Sequence, residues 1–214
     1  MSLTLDLENL KREHANSLPP VALSLFDNLI RDLKSQNFGE RALKIGDHLP
    51  DFVLPDALGN LVSASDLLVR GPLVVVFYRG AWCPYCNLEL KALEEALPDI
   101  QALGAQLVAI SPMTPDNSLS LAEKHSLKFP VLSDAGLKTA SLFGLSYQIP
   151  LELKSFMLKA GMDLERYNGD KSWKLPVPAT YVTDHDGIVV SVVNPDWRER
   201  LDPLEIISAL QKLA

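Results

Sequence analysis

The chain has two cysteines, Cys83 and Cys86, set two residues apart in Trp82-Cys83-Pro84-Tyr85-Cys86. Sulfurs at that spacing can exchange between dithiol and disulfide, hold half of a zinc site, or staple the chain. A zinc site needs two further Cys or His ligands, and His14, His48, His125 and His185 are scattered, with His185 in a predicted turn. A staple would tend to be reduced in the cytoplasm, the default compartment for a chain without a recognisable secretory segment. Thiol redox exchange is the chemistry the spacing favours.

Two elements must position the pair. Pro72-Leu-Val-Val-Val-Phe-Tyr is a continuous β-branched and aromatic run, the pattern of a strand buried on both faces. A helix follows from about Pro84, with Leu90, Leu93, Leu97 and Ile100 on one face, Glu89, Glu94 and Glu95 away from it, and a kink or break expected at Pro98. Cys83 then falls near the N-cap, Pro84 at the first helical position and Cys86 at the third. Unpaired N–H groups and the positive end of the helix dipole favour thiolate over thiol, and comparable sites have pKa values lowered to roughly 3.5–7.5. The chemistry requires the sulfurs to lie close together and within reach of an approaching molecule.

Elsewhere, Val21, Leu25, Leu29 and Leu33, with Phe26 and Ile30, mark an amphipathic helix over 20–34, and a further helix is expected before Pro19. Residues 1–44 read as an added helical segment ahead of a domain over 45–214. Residues 45–70 read as a small hairpin. Strands are expected over Gln106–Ile110, Phe129–Leu132, Ala179–Thr183 and Ile188–Val193, and helices over Pro115–His125 and Gly136–Phe143. Asp184-His185-Asp186-Gly187 is a hairpin turn, and Asp202-Pro203-Leu204-Glu205 opens a closing helix. Residues 144–176 read as an insertion with a helix over Leu151–Lys159. The fold class is therefore α/β, a central mixed sheet flanked by helices.

At 214 residues, with 47% hydrophobic and 22% charged side chains, the chain can bury a full core. A formal net charge of −7 argues against a nucleic-acid partner. No apolar run reaches the roughly 20 residues of a membrane span.

The strand, the Cys-Pro-Tyr-Cys segment and the helix resemble the thioredoxin superfamily. Gly46-Asp47-His48-Leu49-Pro50-Asp51-Phe52, Gly59 and Pro178-Ala179-Thr180-Tyr181 extend the resemblance to the alkyl hydroperoxide reductase and thiol-specific antioxidant group, over about 45–210. The peroxiredoxin signature Pro-x-x-x-Thr-x-x-Cys falls on Arg79, Cys83 and Cys86, so Cys86 resembles a peroxidatic cysteine. In thioredoxins the attacking cysteine corresponds to Cys83, and the two likenesses name different nucleophiles. Val177-Pro178 resembles the cis-proline segment that presents backbone to a bound peptide. Arg79 reads as a surface ion-pair side chain, with stabilisation of a thiolate or peroxide oxygen as the alternative. Trp82 reads as a lid over the sulfurs or an aromatic at the strand end, and Tyr85 as a contact residue.

The resemblance implies an enzyme cycling between a Cys83/Cys86 dithiol and disulfide. Its substrate would be a hydroperoxide or a protein disulfide, and its reductant thioredoxin, glutaredoxin or glutathione. No cofactor or metal is implied, and a homodimer is possible through the 20–34 helix. The alternatives are a non-catalytic redox-sensing or interaction module and a structural zinc site.

Overall fold

The computed structural model describes residues 2–36, 38–192 and 198–213. The chain opens with helices α1 (Leu3–Ser17), α2 (Pro20–Ser35) and α3 (Phe38–Arg41), then the hairpin β1 (Val53–Pro55) and β2 (Leu61–Ser63) and helix α4 (Ala64–Leu68). A βαβ series follows: β3 (Leu73–Phe77), α5 (Pro84–Ala102), β4 (Gln106–Ser111), α6 (Pro115–His125), β5 (Val131–Ser133) and α7 (Lys138–Leu142). Next come β6 (Ser146–Gln148), α8 (Leu151–Lys159), α9 (Leu164–Asn168) and β7 (Lys174–Pro176), and the chain closes with β8 (Ala179–Thr183), β9 (Val189–Val192) and α10 (Pro203–Gln211).

The five-stranded sheet has the order β5-β4-β3-β8-β9. β3, β4 and β5 run parallel, and β8 and β9 add antiparallel. β3 lies at the centre because all five of its side chains are apolar, and each is fully buried. Alternation along the strand serves two cores at once. Val74 and Val76 meet α1, α5 and α10, whereas Leu73, Val75 and Phe77 meet the β1–β2 hairpin and α7. At roughly 1.5–3 kcal/mol per buried side chain, this central position is strongly specified.

Several expectations need adjustment. α5 is not split at Pro98 but continues to Ala102. The lost hydrogen bond costs about 3 kcal/mol, which burial of Leu90, Leu93, Leu97 and Ile100 outweighs. The segment before Pro19 is helical because Leu3 and Leu7, one turn apart, enter the core while Leu5 stays outside. In α2 the buried stripe is Ala22, Leu29, Ile30 and Leu33, leaving Val21 exposed. Position 193 of the last expected strand lies outside the described residues.

The β8–β9 turn is held by Asp184, whose Oδ1 accepts from the amides of Asp186 and Ile188, each at 2.9 Å. Asp202 caps α10 by accepting from Leu204 N at 3.1 Å. Its other oxygen accepts from Ser2 Oγ at 3.0 Å and Thr4 Oγ1 at 3.3 Å, which ties the start of α1 to the start of α10. A third core joins α2 and α3 to the 147–177 region through Leu29, Leu33, Phe38, Met157 and Trp173. No helix among the described residues is long and apolar enough to cross a membrane.

Candidate active site

The buried strand β3 ends at Phe77, and the chain turns through Tyr78-Arg79-Gly80-Ala81-Trp82 to reach α5. Gly80 permits this turn. Its φ is +148°, and a Cβ there would lie 2.6 Å from Trp82 Nε1, so only glycine lets the indole fold back over the turn. Cys83 N donates to Gly80 O at 3.1 Å and Asn87 Nδ2 to Ala81 O at 3.0 Å, which fixes the approach to the helix.

Cys83 is the N-cap of α5, and its Sγ accepts from Cys86 N at 3.3 Å. Pro84 takes the first helical position, where its missing N–H costs no hydrogen bond. Neither cysteine is in a disulfide, and the Cys86 thiol donates to Cys83 Sγ across 2.7 Å. Arg79 Nη2 adds a third donor at 2.9 Å. Burial alone would raise the Cys83 pKa. The Cys86 thiol, the Arg79 and Arg200 guanidiniums and the Cys86 amide outweigh it, bringing Cys83 down to about 5. Cys86 moves the opposite way: burial, its bond to Cys83 and the thiolate's charge push it well above the ordinary thiol range. One sulfur is therefore a thiolate at neutral pH and the other keeps its proton.

A second arginine lies behind Cys86. Arg200 Nη2 approaches Cys86 Sγ at 3.5 Å, and Arg200 Nε donates to Glu89 Oε2. Both partners of this ion pair are almost fully buried. Burial raises the Glu89 carboxyl to about 7 against the pull of Arg200. Thr180 Oγ1 at the start of β8 lies 3.5 Å from Glu89 Oε1. The sulfurs thus sit between two guanidiniums, which stabilise negative charge and cannot ligate a metal.

A profile of the AhpC/TSA family matches residues 45–192. The chain belongs to the AhpC/TSA family. It is 29% identical over 168 residues to peroxiredoxin Q, chloroplastic, of Sedum lineare, covering 78% of each chain. It is 28% identical over 131 residues to the thiol-disulfide oxidoreductase ResA of Bacillus anthracis, covering 61% of this chain and 73% of that one. The crystal structure of peroxidoxin BcpB from Mycobacterium tuberculosis superposes with a TM-score of 0.63 at 25% identity, over 80% of this chain and 99% of that one. An AhpC/TSA chain with such relatives is a thiol oxidoreductase or peroxidase on a thioredoxin-like fold.

Within this AhpC/TSA chain, the expected site residues fall into three groups. Cys83, Cys86, Pro84 and Arg79 come together as described. Arg79 is not a surface side chain: it is 3% exposed, because the thiolate beside it offsets the cost of burying its charge. The ring of Trp82 lies over that guanidinium at 5.1 Å, and Tyr85 stacks edge-on against His14 at 5.4 Å. Val177 joins the apolar cluster against which Trp82 packs, with its N–H bonded to Leu145 O at 2.8 Å. The Val177–Pro178 bond is trans, like every peptide bond among the described residues, and this corrects the cis expectation. Trans is the intrinsic preference of an X–Pro bond by about 0.5–1 kcal/mol.

The sulfurs are close, as the chemistry requires, but both have 0% exposure, so the expectation of an open site is also corrected. The sequence reading missed Glu89 and Arg200. Glu89 follows Cys86 by three residues, a spacing that places both on one side of a helix, yet its charge argued for the solvent face. Arg200 stands in Arg198-Glu199-Arg200, which looks like any charged surface run.

Proposed function

We propose that this chain reduces hydroperoxides with the Cys83/Cys86 dithiol, Cys83 attacking and Cys86 resolving. The observation carrying this reading is the asymmetry of the pair: Cys83 Sγ accepts from Arg79, the Cys86 amide and the Cys86 thiol, while Cys86 Sγ donates. The Cys83 thiolate attacks one peroxide oxygen, the O–O bond breaks, and the departing alkoxide or hydroxide takes a proton to leave as alcohol or water. Cys83 becomes a sulfenic acid. Cys86, losing its proton, displaces the sulfenic oxygen as water and forms the disulfide. The sulfurs need close only from 2.7 Å to the bonded distance of about 2.05 Å. A cellular thiol of the thioredoxin, glutaredoxin or glutathione class returns two electrons and two protons. Burial of both sulfurs favours a small oxidant, and Arg79 is placed to meet developing negative charge on oxygen.

The test uses single serine variants and a sulfenic-acid-specific trapping reagent. Cys86→Ser should accumulate the trapped adduct at Cys83, while Cys83→Ser should react about 100-fold more slowly because it lacks the low-pKa thiolate. Rapid sulfenic acid formation in Cys83→Ser, with none in Cys86→Ser, would reverse the assignment. The relative named thiol-disulfide oxidoreductase favours a second reading, in which Cys83 attacks a disulfide and Cys86 resolves the mixed disulfide. Turnover of hydroperoxide against a small disulfide, with the same thiol donor, separates the two. A redox sensor would oxidise once and fail to cycle.

A further inference from the structure

Beside the dithiol lies a chamber of about 230 Å³ whose walls are almost wholly apolar. One side comes from the N-terminal helices and their link, through His14, Leu18 and Phe26. The opposite side comes from the 151–162 region, through Phe156, Ala160 and Met162, and the floor is Arg79, Trp82, Pro84 and Tyr85. The guanidinium that touches Cys83 Sγ at 2.9 Å therefore also faces this chamber. We infer that the chamber is the binding site for the hydrocarbon portion of the substrate, and that it selects hydroperoxides carrying a compact aryl or branched alkyl group.

Three observations support that occupant. The lining offers little to a polar group: Phe26 and Phe156 meet edge to face with centroids 6.2 Å apart, and burial holds His14 below its ordinary pKa, hence neutral at pH 7. With 0% exposure at both sulfurs, the disulfide of a folded protein has no surface to dock against, whereas a small molecule need only pass Trp82. The indole N–H of Trp82 is buried with no acceptor among the described residues, so an oxygen arriving beside it would satisfy a donor. The volume sets a ceiling. At about 30 Å³ per water-sized atom, 230 Å³ holds on the order of eight heavy atoms, enough for a phenyl or branched alkyl group and too few for a long acyl chain.

This inference rests on the hydroperoxide reading above, and its test separates the two. Ala160 closes α8 at an exposed position, so Ala160→Trp fills the chamber from outside the core. The readout is the ratio of kcat/KM for cumene hydroperoxide to that for hydrogen peroxide, with circular dichroism confirming the fold. Ala160→Trp should lower this ratio about tenfold, the scale set by a filled or emptied apolar subsite. Phe156→Ala should shift preference toward bulkier hydroperoxides. Calorimetric titration with 2-phenyl-2-propanol, the product alcohol, should show saturable binding to the unmodified protein and its loss in Ala160→Trp. If both variants keep the parent ratio and the alcohol does not bind, the chamber is not a substrate site, although the redox reading stands. If the unmodified protein consumes neither peroxide, both inferences fall.

Discussion

The two cysteines differ by one helical turn, yet their surroundings diverge. Around Cys83 the neighbours are Arg79, helix N–H donors and, beyond the guanidinium, an apolar chamber. Around Cys86 they are Arg200 and Glu89, next to a cleft lined by charged residues including Lys11, Arg198 and Glu199. The difference shows that burial does not decide a thiol's state by itself. Both sulfurs are equally covered, and the number and direction of donors decide which one ionises.

The largest expected break in this comparison is Arg79→Met. Removing an adjacent cation should raise the pH midpoint of Cys83 alkylation by roughly 1 to 3 pH units, slowing reaction near pH 6 by about 10- to 1,000-fold. Rates of iodoacetamide alkylation against pH measure this, and an unchanged midpoint would assign the low Cys83 pKa to the helix alone.

Stability should follow the same asymmetry. Because folding lowers the Cys83 pKa to about 5, its contribution is complete above the ordinary thiol value and is lost as pH falls through 5. Cys83→Ser should flatten the urea-unfolding free energy over that window.

Glu89 has the opposite sign. Its pKa is raised to about 7, so the buried carboxyl lowers stability increasingly as pH rises from the ordinary carboxylate range toward 7. Glu89→Gln should remove that pH dependence. It should also remove an inflection near pH 7 in the rate of disulfide formation, a few-fold effect that stopped-flow fluorescence can follow.

The smallest effect is expected at the chamber edge. Gly80→Ala places a methyl within 2.6 Å of Trp82 Nε1 at φ +148°, costing about 1–3 kcal/mol and displacing the indole. Reactivity of Cys83 toward hydrogen peroxide should change less than with Arg79→Met. A larger change would make Trp82 part of the thiolate's support.

Much of this arrangement was legible before any coordinates. The uninterrupted apolar run of β3 announced a central strand, and Cys83-Pro84 announced a helix start, because each signal is local and tied to one backbone geometry. The hairpin turn at Asp184–Gly187 and the cap at Asp202 were readable for the same reason. Arg79, Glu89 and Arg200 were not, since a charge in sequence points to solvent unless its partner is known. The partner of Glu89 lies 111 residues away. The enclosure of the sulfurs escaped notice too, because the chamber walls come from segments separated by more than a hundred positions, and periodicity says nothing about which distant faces meet.

The carboxylate of Asp202 serves two helices, one at each end of the described chain. During synthesis α1 leaves the ribosome first, but the oxygen that receives Ser2 and Thr4 is not made until nearly two hundred residues later. The earliest helix to be translated must therefore wait for the last before its end can be fastened, so its final docking belongs to a late, post-translational stage of folding.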